Sequence, residues 1–235
     1  MGLELEDQVI LVTGSAKGLG RFLAEKIEGV GATTFFHFRN SKSRPVRFSS
    51  ESVCFDVRDK EAVQKGVASI VKKCGRLDAL IQCVGPYHPK RIDELSDHEW
   101  KTDLETTLHG SFNLSQQVLP TMRKNRFGRI IYVGDSMADR LTTSPHSVAY
   151  KIAKNGLYSL ARAFAQTEMK NGITVNVVSP GVMPNSVVKP STKAMPRVRL
   201  TKFEEVYQAI LFLLSKGASK VTGTNLVVSG GFFGV

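Results

Sequence analysis

Short apolar runs alternate with helical segments along almost the whole of the 235-residue chain. The runs are rich in β-branched residues and end at glycine or polar residues, as buried strands of a parallel sheet do. They cover 8–13, 33–38, 52–55, 78–82, 129–133, 173–178 and 225–229. Helical periodicity fills the intervals at 21–31, 60–74, 97–124, 147–170 and 202–214. Since such strands pair in parallel through right-handed crossovers, we predict an α/β fold, a doubly wound sheet of about seven strands with helices on both faces.

Composition narrows the class of protein. No linker, repeat or low-complexity segment interrupts the pattern, so we predict a single domain over 1–235. We expect no membrane span, because no apolar run has the necessary length, and no signal peptide, because the N-terminus lacks a basic start and an apolar core. Three cysteines without metal or disulfide spacing (Cys54, Cys74 and Cys83) favour a reducing, cytoplasmic location. The net charge of +11 is not gathered into a dense basic run. We therefore predict no membrane or nucleic-acid partner, and an anionic cofactor and substrate to account for part of the charge.

Tyr150 and Lys154 are four residues apart in a predicted helix. Residues at this spacing lie on one helical face, so the phenol and the ammonium would point into the same space. A nearby cation favours the phenolate and would lower the pKa of Tyr150, which makes a weak acid into a usable proton donor. The pair is therefore our candidate for acid catalysis.

A glycine-rich turn follows the first strand and opens the first helix. Its sequence runs from Gly14 through Ser15, Lys17, Gly18 and Leu19 to Gly20. Glycines allow the backbone to approach a pyrophosphate, and the helix N-terminus attracts the phosphates. The turn is therefore our candidate for binding a dinucleotide.

The end of the second strand favours one dinucleotide over another. An NAD site has a carboxylate about 20 residues past the glycines, whereas an NADP site has cationic groups that accept a phosphate. Here Arg39, Asn40 and Ser41 follow the strand without an acid, and Lys17 lies in the glycine loop, so we predict NADP (NADPH). Asp56, which precedes Val57 after the third strand, could bind the adenine amino group or cap the next helix.

Together these residues resemble the short-chain dehydrogenase/reductase family, which has a Rossmann-type fold. The resemblance covers Thr13-Gly14-x3-Gly18-x-Gly20, Asp56-Val57, Tyr150-x3-Lys154, Pro180-Gly181 and a closing glycine-rich segment. It implies that Tyr150 protonates a carbonyl oxygen as hydride is delivered. Lys154 would hold the nicotinamide ribose and lower the pKa of Tyr150.

Several positions depart from the family pattern. After the fourth strand the usual Asn-Asn-Ala-Gly is Gln82-Cys83-Val84-Gly85, with Cys83 and Gly85 expected near the cofactor. Thr107 stands where an asparagine usually supports a proton-relay water, which leaves open whether the accompanying helix distortion is present. Asn185 replaces the threonine that usually contacts the nicotinamide carboxamide.

The third catalytic partner has two candidates. Alignment of the fifth strand puts Asp135 where a serine normally orients the substrate, with Ser136 beside it. Either Ser136 performs the usual role, or Asp135 does so, as in the pteridine reductases of the same family. The residue at this place is expected to influence the choice of substrate.

The resemblance predicts an NADPH-dependent reductase of a carbonyl substrate similar to the 3-oxoacyl-[acyl-carrier-protein] reductases. An acyl thioester on an acidic carrier protein would suit the basic chain. The alternatives are a pteridine or dihydropterin reductase, which Asp135 favours, and a weakly catalytic NADP-binding regulatory protein. The segment 182–200 is expected to form a substrate lid, and the family resemblance implies a homodimer or homotetramer paired through the helices at 97–124 and 147–170.

Overall fold

The protein forms a seven-stranded sheet in which all strand pairs are parallel. The computed structural model describes residues 5–44, 50–137, 145–189 and 200–231. The strands are β1 (Val9–Thr13), β2 (Thr33–Phe38), β3 (Ser52–Cys54), β4 (Ala79–Gln82), β5 (Gly128–Val133), β6 (Ile173–Pro180) and β7 (Asn225–Val228), in the order β3-β2-β1-β4-β5-β6-β7. The predicted doubly wound fold and strand number are therefore confirmed.

Helices cover both faces of the sheet. They are α1 (Gly18–Gly29), α2 (Lys60–Cys74), α3 (Asp97–Leu104), α4 (Gly110–Asn125), α5 (Val148–Glu168) and α6 (Phe203–Leu214). Val9 and Leu11 of β1 face a core shared with α2, α4 and α5, whereas Ile10 and Val12 face a second core formed with α1 and α6. Because successive strand residues point to opposite faces, both faces of β1 are apolar, as a central parallel strand requires.

The helix predicted at 97–124 is interrupted. Its first part begins at Asp97, and the preceding Ser96 forms a capping box with Glu99. A π-helical turn, Glu105–His109, then separates α3 from α4. At this turn the Ser111 hydroxyl donates to the Thr107 carbonyl at 2.6 Å, and a Cβ on Gly110 would lie 2.7 Å from Val57 Cγ2. The helix distortion near Thr107, which the sequence could not decide, is thus present.

The start of α2 shows which aspartate acts as the cap. Asp59 Oδ1 accepts hydrogen bonds from the amides of Glu61 and Ala62, both at 3.0 Å. Asp56 instead accepts from the amide and the guanidinium of Arg58. Asp59 therefore caps α2, and the prediction that Asp56 could cap this helix is wrong.

Within the described parts of the chain, no helix is long and apolar enough to cross a bilayer.

Candidate active site

The site lies at the carboxyl edge of the sheet, where β1 has β2 on one side and β4 on the other. In open α/β sheets this reversal of strand order leaves a crevice outside the strand ends. The segments that follow β1, β2, β4, β5 and β6 all reach this edge, and they carry nearly every residue singled out from the sequence.

The glycine turn has the conformation that its sequence predicts. Gly14 and Gly18 have φ values of 70° and 59°, which favour glycine. Gly20 packs so closely that a Cβ there would lie 2.5 Å from the Gly14 carbonyl oxygen. Leu19 is buried in the core, and Lys17 is exposed beside the turn. The glycines thus let the chain pass from β1 directly into α1, whose N-terminus attracts the phosphates of a dinucleotide.

His37 supports the turn from β2 and was missed in the sequence. Its Nδ1 accepts from the Gly14 amide at 3.3 Å, while its Nε2 donates to the Phe55 carbonyl at 2.8 Å. Ser15 adds a second link, because its amide donates to the His37 carbonyl at 3.1 Å. Burial lowers the pKa of His37 to about 4, which keeps the imidazole neutral. A histidine inside an apolar strand gives no sequence signal for this role.

Cationic groups gather beyond the end of β2. Arg39 is exposed there and helps to lower the pKa of Asp56, a shift caused first by the hydrogen bond from Arg58. Asn40 accepts from the Ser43 amide at 3.1 Å, which fixes the short helical turn that contains Ser41. Among the described residues of this region, no acid occupies the end of β2, in agreement with the prediction of a phosphate-accepting end.

Gln82 and Cys83 replace the family's asparagines with a different set of contacts. The Gln82 side chain accepts from the Thr13 hydroxyl and donates to Ser111 Oγ at 3.1 Å. The Cys83 amide donates to Thr13 Oγ1 at 3.1 Å. Gln82 therefore joins β1, β4 and α4 by hydrogen bonds at the position where an asparagine is usual.

Tyr150 and Lys154 lie together on α5 as predicted. Lys154 Nζ is 5.6 Å from the centre of the Tyr150 ring and donates to the Val133 carbonyl at 2.6 Å. The Tyr87 ring packs edge-on against Tyr150, with centroids 4.8 Å apart. Lys154 Nζ thus lies at the end of β5, with the Tyr150 ring beside it.

The expected direction of the pKa shift of Tyr150 is wrong. Burial, with a smaller effect of the Asp135 carboxylate, raises the pKa of Tyr150. Burial also lowers the pKa of Lys154 to about 8. The Lys154 ammonium donates to the Val133 carbonyl, and burial is the main cause of the shift of the phenol. Tyr150 therefore carries its proton at neutral pH.

Thr107 and Gly85 complete a polar cradle beside this pair. Thr107 is fully buried, and its Oγ1 has no hydrogen-bond partner among the described residues. A Cβ built on Gly85 would lie 3.3 Å from both Thr107 Oγ1 and Lys154 Nζ. Both polar atoms thus face the space above Gly85, and an orphaned hydroxyl at this position fits a polar ligand.

Asp135 and Ser136 both follow β5. Asp135 Oδ1 accepts from the Met137 amide at 3.0 Å, and its negative charge acts on both Tyr150 and Lys154. Ser136 is buried, with 5% of its surface exposed. The charge of Asp135 thus acts on Tyr150 and Lys154. Which of Asp135 and Ser136 is the third catalytic residue stays a prediction.

The segment after β6 brings another predicted residue to the glycine turn. The Asn185 side chain reaches across, so that a Cβ on Gly18 would lie 2.8 Å from its Nδ2. Gly181 donates to the Val228 carbonyl at 2.9 Å and so fixes the chain after Pro180. Of the expected lid at 182–200, residues 190–199 lie outside the described residues, and the lid stays a prediction.

Comparison with known proteins agrees with this arrangement. The family model described as enoyl-(acyl carrier protein) reductase matches residues 14–233. The 3-oxoacyl-[acyl-carrier-protein] reductase of Haemophilus influenzae is 31% identical, over 97% of this chain and 99% of that protein. A putative oxidoreductase of Bacillus subtilis is also 31% identical, over 94% of each chain.

A solved structure supports the fold. The gluconate 5-dehydrogenase from Burkholderia cenocepacia, in complex with NADP and tartrate, has a TM-score of 0.88 and 23% identity. The match covers 98% of this chain and 96% of that one. With the matching motifs and full-length relatives, these findings show that the chain belongs to the short-chain dehydrogenase/reductase family and is an oxidoreductase.

Proposed function

We propose that the protein is an NADPH-dependent reductase that acts on the ketone of a 3-oxoacyl thioester. The observation that carries this proposal is that Lys154 lies beside the Tyr150 ring and, with the buried Thr107 hydroxyl, beside Gly85 at the sheet edge. Relatives that span nearly the whole chain are 3-oxoacyl-[acyl-carrier-protein] reductases, which supports the choice of substrate.

NADPH would be held by residues of this chain that suit each of its parts. The start of α1, from Gly18 to Gly20, would offer backbone amides to the pyrophosphate. Arg39 and Lys17 would offer positive charge to the ribose phosphate. Asn185 lies against Gly18 of the glycine turn, and Lys154 lies beside Gly85, where the nicotinamide ribose would bind. Bound NADPH would supply the hydride.

The chain itself supplies a proton and its positioning. Tyr150 Oη keeps its proton at neutral pH and would donate it to the substrate oxygen as negative charge develops there. The positive charge of Lys154, whose Nζ lies 5.6 Å from the centre of the Tyr150 ring, would stabilise the phenolate that results. Because no covalent bond to the protein is required, catalysis depends on orientation and on this proton.

A dihydropterin is the second candidate substrate. The negative charge of Asp135 acts on both Tyr150 and Lys154, so a carboxylate stands near the reacting centre. A pterin ring offers an amino group and ring N–H groups that could donate to a carboxylate, whereas a thioester offers only acceptors. Asp135 would then take the place of the orienting serine.

Gly20→Ala tests the glycine turn. Its Cβ would meet the carbonyl oxygens of Gly14 and Thr13 at 2.5 and 3.1 Å, and both are backbone atoms, so the turn must shift. We expect NADPH affinity to fall at least roughly 10-fold and stability to fall by about 1–3 kcal/mol. Fluorescence titration with NADPH and thermal unfolding measure the two effects.

Gly29→Ala is the matched control, because it lies at the other end of α1 with nothing within 4 Å of the added Cβ. We expect it to bind NADPH normally and to gain about 0.5–1 kcal/mol in stability. Equal behaviour of the two variants would exclude the glycine turn as the cofactor site.

Steady-state assays with NADPH and either an acetoacetyl thioester or a dihydropterin separate the two substrates. For the thioester we expect Asp135→Asn to retain activity within a few-fold and Ser136→Ala to lose roughly 10²-fold. For the dihydropterin we expect the reverse: Asp135→Asn would lose roughly 10²-fold in activity, and Ser136→Ala would retain activity within a few-fold. Turnover of neither substrate by the unaltered protein would contradict both assignments.

The remaining expectations stay predictions. They are a cytoplasmic location, an acidic carrier protein as the bearer of the substrate, and a homodimer or homotetramer formed through α4 and α5. The exposed Phe112, Ile152 and Met169 on or next to these helices are consistent with such pairing.

A further inference from the structure

Ser147 has an unusual backbone conformation at the start of α5. Its φ is 58° and its ψ is 32°, in the left-handed region that residues with a side chain rarely adopt. A serine before a helix usually has an extended backbone, and its hydroxyl accepts a hydrogen bond from an amide of the first turn. Ser147 makes no such cap. Residues in this region persist only where the surrounding structure holds them, and they are frequent at functional sites.

The bonds of Ser147 run to the loop that follows β4. Ser147 Oγ donates to Tyr87 Oη at 3.2 Å, and the Ser147 amide donates to the Lys90 carbonyl at 3.0 Å. Only 5% of the surface of Ser147 is exposed, so both bonds are shielded from water. The serine thus bonds to the neighbouring loop in place of its own helix, which accounts for a conformation that the helix start does not require.

Backbone pairing reinforces the junction between this loop and α5. Arg91 and His146 form an antiparallel bridge. The Ile92 amide donates to the Pro145 carbonyl at 2.8 Å. The loop after β4 is therefore fixed in position against the residues that lead into α5.

Tyr87 is the residue through which this junction meets the candidate proton donor. Tyr150 lies in the first turn of α5. The rings of Tyr87 and Tyr150 pack edge-on, with centroids 4.8 Å apart and planes at 81°. Such pairs have a preferred geometry, so each ring restricts the orientation of the other. Because the Tyr87 hydroxyl is held by Ser147, Tyr87 is the fixed member of the pair.

We propose that Tyr87, held by Ser147, is a positioning residue that keeps the Tyr150 ring in the orientation from which its hydroxyl donates the proton. The inference rests on the proposed function, because it takes Tyr150 to be the proton donor. Tyr87 acts through the Tyr150 ring and requires no contact with the substrate. Since a misplacement of about 1 Å can slow a reaction roughly 10²-fold, loss of this contact should lower kcat.

Tyr87→Leu removes the ring and tests the contact directly. We expect kcat with NADPH and the acetoacetyl thioester to fall roughly 30-fold, while KM for the thioester and NADPH affinity change by less than about 2-fold. Tyr87→Phe keeps the ring, so it should recover most of this loss. Tyr158→Leu is the control, because Tyr158 lies on the same helix and contacts Arg162, away from the site. Its kinetic constants should match those of the unaltered protein.

A double-mutant cycle tests the part of Ser147. Tyr87→Phe and Ser147→Ala each remove one side of the same hydrogen bond. We expect each to lower kcat by about 3-fold, and the double variant to be no slower than either single variant. Losses that multiply in the double variant would overturn the inference that Ser147 acts through Tyr87.

Three results for Tyr87→Leu would overturn the positioning role. The first is an unchanged kcat. The second is a raised KM for the thioester with kcat unchanged, which marks a contact with the substrate. The third is a joint loss of kcat, NADPH affinity and thermal stability that Tyr87→Phe does not recover, which marks a general structural role.

NMR of the protein without substrate separates failure of this inference from failure of the proposed function. Carbon-13-labelled tyrosine reports the χ1 rotamer of Tyr150, and the signals missing in Tyr150→Phe identify it. We expect one rotamer in the unaltered protein and in Tyr87→Phe, and averaging among rotamers in Tyr87→Leu. This pattern supports the positioning whether or not the thioester is turned over. A single, unchanged rotamer in Tyr87→Leu overturns it in either case.

Discussion

Tyr150→Phe is expected to lower kcat by roughly 10³-fold while NADPH binding changes by less than a few-fold. The variant removes only the hydroxyl, and with it the proton that the substrate oxygen needs. The ring keeps its edge-on contact with Tyr87, so the fold and the cofactor site should persist. Steady-state kinetics and fluorescence titration with NADPH measure the two quantities on the same preparation.

Tyr158→Phe provides the matched control. Tyr158 lies on the same helix, with the Arg162 guanidinium 5.7 Å from its ring centre, away from the site. We expect its kinetic constants to equal those of the unaltered protein. A similar loss in both variants would point to a general effect on α5 and not to proton donation.

Lys154→Met is expected to lower kcat at least roughly 10²-fold and to raise KM for NADPH. The thioether fills the space of the alkyl chain, but the positive charge near the phenol and the ribose is lost. Lys151→Met, on the same helix and outside the cradle, should change neither constant. Normal kinetics in Lys154→Met would contradict the assigned role.

The lowered pKa of Lys154 also sets a pH dependence. The charged form is present below about 8 and is lost as pH rises through that value. Since the ammonium is the active form, kcat/KM should fall with rising pH across this range. Lys154→Arg keeps its charge at all these pH values, so its reduced activity should lack this alkaline fall. The same fall in both proteins would assign it to another group.

Local patterns in the sequence were sufficient to predict the fold. Each strand lies within about two residues of its predicted place, because continuous β-branched runs have one stable environment in a doubly wound sheet. The π-helical turn at Glu105–His109 was not predictable. It depends on the contact of Gly110 with Val57 and on the Ser111 hydroxyl, which are tertiary features.

The candidate site was predictable where chemistry needs a fixed spacing. Tyr150 and Lys154 were found because helical geometry places residues at i and i+4 together. The direction of their pKa shifts was not found, because burial of both groups and the Val133 carbonyl that holds Lys154 appear only in three dimensions. His37 was missed for the same reason, since its partners, the Gly14 amide and the Phe55 carbonyl, lie on other segments of the chain.

The central claim is that Tyr150 protonates a substrate reduced by NADPH bound at this site. Its most direct test is a single-turnover measurement, in which the absorbance of protein-bound NADPH is followed after mixing with the acetoacetyl thioester or the dihydropterin. We predict rapid oxidation with one of them by the unaltered protein and oxidation roughly 10³-fold slower by Tyr150→Phe, with equal amounts of NADPH bound at the start. Equal rates in the two proteins would contradict the account.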